Sequence, residues 1–69
     1  MNLIQRAYNH NSSAFVAELR TAAAARRLHN DFSGAYEIDR SITSLLTDQA
    51  VENDWTTTIA KRFLHDTTH

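Results

Sequence analysis

Phe32-Ser33-Gly34-Ala35-Tyr36 separates two stretches of helical periodicity and holds the one glycine of a 69-residue chain that has no proline. A chain with so little punctuation has few places to turn. Glycine enters the left-handed backbone conformation at the least cost, and that conformation commonly ends a helix. Gly34 is therefore expected to be the hinge between two helices.

On its N-terminal side, the run Ala22-Ala23-Ala24-Ala25 leads into Arg26-Arg27-Leu28 and has very high helix propensity. It centres a long helix expected over about residues 13–32, capped by Ser12 or Ser13. The apolar positions of this helix do not form one stripe. Phe15, Leu19 and Ala22 lie together, and Ala25, Leu28 and Phe32 lie together after a rotation of about a third of a turn. The Leu28/Phe32 patch is expected to meet the next helix across the turn, leaving Phe15 and Leu19 for other neighbours. Arg27 and Asp31 are four apart and form an expected surface ion pair.

On the C-terminal side, Ala35, Ile38, Ile42, Leu45, Leu46 and Gln49 share a face, which predicts a helix over about residues 35–50. Glu37, Arg40, Ser44 and Asp48 take its polar side. Val51, Trp55, Ile59 and Phe63 then step by four and mark a third long helix over about residues 54–66. Its start stays open: either Thr47 or Asp48 caps it, or Asn53 or Asp54 does. Thr56-Thr57-Thr58 has poor helix propensity, but no second strand-like segment exists to pair with it. Leu3, Ile4, Ala7 and Tyr8 predict a short N-terminal helix over about residues 2–8. Two turns do not stand alone in water, so it packs on this chain or on a partner.

The fold expected is all-α: a small helical bundle of three main helices and a short N-terminal one, in a single domain over residues 1–69. Its core is expected from Phe15, Leu19, Leu28, Phe32, Ile38, Ile42, Leu45, Leu46, Val51, Trp55, Ile59 and Phe63.

Composition limits the function. The net charge is −1 with the histidines neutral, which gives no overall drive toward nucleic acid or anionic lipid. Without cysteine there is neither a disulfide nor a thiolate zinc site. No apolar run reaches membrane-span length, and Met1-Asn2-Leu3-Ile4-Gln5-Arg6 lacks the apolar core of a signal peptide. A cytoplasmic protein is expected. A chain of this size buries only about 60% of its unfolded surface, so a homodimer is an expected source of extra stability.

Arg26 falls on the wheel between Leu19 and Ala22, on the face expected to be buried. It either snorkels to water, pairs with a carboxylate at an interface, or joins an internal ion pair. Arg6, Arg20, Arg26 and Arg27 read better as solvated helix surface than as a phosphate patch. His65 and His69 have the spacing that holds a metal on a helix, but two histidines at a fraying end make a weak site, and no metal is expected. No nucleophile elbow or glycine-rich phosphate loop is present. No enzyme activity and no cofactor are expected.

The expected function is a small non-enzymatic protein–protein interaction protein, a regulator or inhibitor of the kind common in phages and plasmids. Tyr8, Arg26, Tyr36, Trp55, Phe63 and Leu64 are its candidate partner or dimer surface, with Trp55 also a core candidate. The alternative is a helix-turn-helix DNA-binding regulator whose last helix presents Thr56, Thr57, Lys61 and Arg62. The turn before that helix has no glycine, Arg62 sits near the apolar ridge, and the net charge opposes it. A structural subunit of a larger assembly is a third reading.

Overall fold

The computed structural model describes residues 2–67. They form four helices: α1 (Leu3–His10), α2 (Ser12–Leu28), α3 (Phe32–Leu46) and α4 (Asp54–Thr67). The expected all-α class holds, and no strand forms among the described residues.

The hinge at Gly34 does not. Gly34 is the third residue of α3 and has no positive φ. The chain turns earlier, at Asn30, whose φ is 59°. Asparagine is the residue after glycine that best tolerates this conformation. Asp31 then caps α3 by accepting a hydrogen bond from the Gly34 N–H at 3.0 Å. The stop and start signals both stand in Asn30-Asp31, so α2 ends before the expected residue 32 and α3 begins before residue 35. α3 also stops at Leu46, short of residue 50, while α1 runs on to His10.

What position 34 requires is a side chain small enough for close packing. A Cβ there would lie 2.9 Å from Asp31 Cγ and 3.1 Å from Trp55 Cζ2.

The early stop of α2 redistributes the core. Leu28 and Phe32 flank the turn and stand in solvent, 84% and 63% exposed. They do not form the expected seam. Leu46, Val51 and Trp55 are also exposed. Leu46 is the last residue of α3, and Val51 lies in the link beyond it. The core instead joins Phe15, Leu19 and Ala23 of α2 to Ala35, Ile38, Ile42 and Leu45 of α3 and to Ile59, Ala60 and Phe63 of α4. Alanines at three of these places bring the helices close. α1 adds Ile4 and Ala7, both fully buried, so the short helix packs on its own chain.

The link from α3 to α4 is held by small polar groups. Ser44, expected on the polar side of α3, is buried with Ser41 and Thr56. Ser44 Oγ accepts from the Val51 N–H at 2.8 Å and donates to the Ser41 carbonyl at 2.7 Å. Ser41 Oγ donates to the Val51 carbonyl at 2.8 Å. The Ser44 carbonyl accepts from the Gln49 N–H at 2.7 Å, while Asp48 and Ala50 take φ of 63° and 48°. Asn53 is the cap of α4. Its Oδ1 accepts from the Thr56 N–H at 3.1 Å, and Thr56 Oγ1 accepts from the Asn53 N–H at 3.2 Å. This reciprocal pair is a capping box. It places the start of α4 at the later of the two expected positions, and the helix then tolerates its three threonines.

Candidate functional site

α4 runs antiparallel to α2. Trp55, at the start of α4, meets Arg26 near the end of α2, and Phe63 meets Phe15 near the start of α2, with ring centroids 5.2 Å apart. Between these two contacts the helices do not close over each other. On the α2 side the surface is made by Ala22 and Ala25, too short to fill the space. An open groove of about 780 Å³ results, floored by those alanines with Ile38 and Ile59.

Arg26 and Trp55 form one end of this groove. The Arg26 guanidinium lies 5.2 Å from the centroid of the Trp55 ring, an arrangement worth about 0.5–1 kcal/mol at exposed sites. Its Nη1 is also 3.9 Å from Asp31 Oδ2, a loose ion pair. Arg26 is thus half-buried, with its head turned to an aromatic face. Trp55, expected in the core, is 40% exposed and forms the rim. Its edge rests against Gly34, so the side chain at position 34 sets how closely the indole approaches α3.

Charged residues stand at both ends of the groove and on both walls. All four line the groove, and the antiparallel course of the helices puts Arg26 and Asp54 on opposite walls near Trp55 and Glu18 and Arg62 on opposite walls toward the other end. On α2 the order is Glu18, Ala22, Arg26; on α4 it is Asp54, Thr58, Arg62. Each wall carries an acid, a small residue and a base at intervals of four. That signal is readable in the sequence. Its meaning depends on the antiparallel course of the two helices, which is not.

The remaining candidates are dispersed. Phe63 is buried, packed on Phe15 and edge-on to His10 with centroids 6.4 Å apart. Leu64 is half-buried against the core. Both pack against the interior. Tyr8 is half-buried beside a shallow hollow that includes Val16 and Leu46. Tyr36 is 63% exposed on the outer face of α3, far along the helix from that hollow. The six expected interface residues therefore do not form one surface; Arg26 and Trp55 alone meet in the groove.

Thr56 is fully buried, with its hydroxyl committed to the cap of α4. It has no side-chain atom to offer a nucleic acid. Thr57 is half-buried, and Lys61 and Arg62 are exposed. Arg27 pairs with Asp39 across the α2–α3 turn instead of with Asp31, whose arginine partner is Arg26. Arg6 and Arg20 are exposed. Exposed His65 lies near the end of α4, and His69 lies outside the described residues. Among the described residues no three His, Cys, Asp or Glu side chains converge as a metal site, and no helix is long and apolar enough to cross a membrane.

No protein-family model, no curated protein and no solved structure matches this chain.

Proposed function

We propose that this chain is a small non-enzymatic interaction protein, a regulator or inhibitor that works by covering a surface of another protein. The observation that carries this reading is the α2–α4 groove, where Arg26 lies over Trp55 above a floor of alanine and isoleucine. Tryptophan and arginine beside an apolar, partly desolvated pocket are the residue types that dominate binding energy at interfaces. Of the hydroxyls lining the groove, that of Thr58 is spent on the Asp54 carbonyl, and binding is the chemistry this reading assigns to the site. The burial of Thr56 counts against the DNA-binding alternative.

The test is affinity capture from the lysate of the native host, with the wild-type chain and Trp55→Ala as parallel baits. The wild type should recover one protein in near-stoichiometric yield, and Trp55→Ala should lose it. Equal recovery by both baits, or no specific recovery by either, would overturn the proposal.

A further inference from the structure

We infer that the α2–α4 groove is self-complementary and takes a second copy of this chain in an isologous two-fold dimer. The inference rests on the reading of the groove as an interface, and a second copy seated there competes with the outside protein for it.

Charge and helix direction favour a second copy. Because α4 is antiparallel to α2, each end of the groove carries one acid and one base on opposite walls: Arg26 with Asp54, and Glu18 with Arg62. Consider a two-fold axis lying along the groove. It keeps the direction of each helix and exchanges the two walls, so α2 of one copy faces α4 of the other. Arg26 then meets Asp54 of the second copy, and Glu18 meets Arg62 of the second copy. Symmetry repeats both pairings, as an isologous interface requires. At each end the four groove-lining charges alternate in sign, so each faces an opposite one; at the Trp55 end Arg26 also keeps the Asp31 of its own copy. An axis across the groove would set α2 against α2. The second copy's Glu18 would then face Arg26 and its Arg62 would face Asp54, also opposite in charge, so the double reversal of Glu18 and Arg62 tells the two axes apart: it restores the pairs about the axis along the groove and sets like charges together about the axis across it.

The space between the charged ends suits the same arrangement. Ala22 and Ala25 leave room for another helix to come near, since the distance between packed helices follows the size of the side chains between them. A standard interface takes about 800 Å² from each partner, under a fifth of the 4453 Å² exposed by the chain. Two helices of 17 and 14 residues side by side, each over about 20 Å long, offer a face of that order.

Equilibrium sedimentation of the purified full chain tests this, with concentrations rising to millimolar. Wild type should reach twice the 7.8 kDa of the chain. Glu18 and Arg62 are exposed and take no part in the core, so their reversal should leave the fold intact by circular dichroism. Glu18→Arg and Arg62→Glu should each raise the dimer Kd by about tenfold, since each disrupts two symmetry-related pairs. The double variant should recover most of the wild-type affinity. A wild type that stays monomeric overturns the inference. So does a dimer indifferent to either single reversal, or a double variant no better than the singles. A monomer whose Trp55→Ala variant still loses an outside protein would remove the second copy and leave the interaction reading standing. A dimer that captures nothing from lysate would do the reverse.

Discussion

At position 34 two effects of opposite sign compete, and their sizes decide the outcome of one substitution. Replacing a helical glycine by alanine ordinarily stabilises by about 1 kcal/mol. Here the new methyl meets the carboxyl group of Asp31 and the indole of Trp55. Turning Asp31 away forfeits the α3 cap, about 1 kcal/mol, and pushing Trp55 aside costs a further 1–3 kcal/mol or so. Gly34→Ala is therefore expected to destabilise by about 1–3 kcal/mol. The left-handed residue is Asn30, where a β-branched side chain costs about 1–2 kcal/mol. Asn30→Val should lower the melting temperature by roughly 5–10 °C. Thermal melts of both variants check the pair; a Gly34→Ala protein more stable than wild type would show that propensity outweighs the contact.

At the scale of the element, the amphipathic stripe of α3 was legible because Ala35, Ile38, Ile42 and Leu45 need only the local 3.6-residue period to share a face. Its polar interior was not. Ser41 and Ser44 look like surface serines until the link to α4 folds back over them, and that depends on left-handed turns at Asp48 and Ala50. The Leu28/Phe32 seam failed for the converse reason. Gly34 carries the stop expected from composition, while the operative signal is an asparagine followed by a capping aspartate. The groove was half legible. Arg26 was conspicuous on its helix, but its pairing with Trp55 needs two helices 25 or more residues apart in sequence to cross at one place. One consequence is measurable. Ser44→Ala leaves the Val51 N–H without its acceptor, which costs about 1–3 kcal/mol where the group is kept from water. Hydrogen exchange should show the Val51 amide exchanging faster, ahead of amides in the middle of α3. An unchanged Val51 rate would mean that the hydroxyl does not protect it.

For the whole molecule, α1 ties distant parts together. Its Ile4 and Ala7 are fully buried. The side chain of Asn2 donates to the Ala50 carbonyl at 2.7 Å, and the Leu3 N–H donates to Glu52 at 3.0 Å. The start of the chain thus pins the α3–α4 link as well as packing on α4. Large-to-alanine changes in a core cost about 2–5 kcal/mol, a large share of the stability of any small domain. Ile4→Ala is expected to lower the melting temperature by roughly 15 °C and to do so in one cooperative transition followed by circular dichroism. A separate low-temperature step confined to α1 would show that the short helix is an appendage instead.

The indole in the groove has a practical consequence. Trp55 is the one tryptophan in the sequence, and it is partly wet, with a guanidinium against its face. The intrinsic emission of the native protein, excited where tyrosine does not absorb, therefore comes from this groove. Anything that settles there and displaces water should move that emission to shorter wavelength and shield it from a dissolved collisional quencher such as iodide. The protein carries its own optical gauge of occupancy, with no dye to attach and no residue to replace.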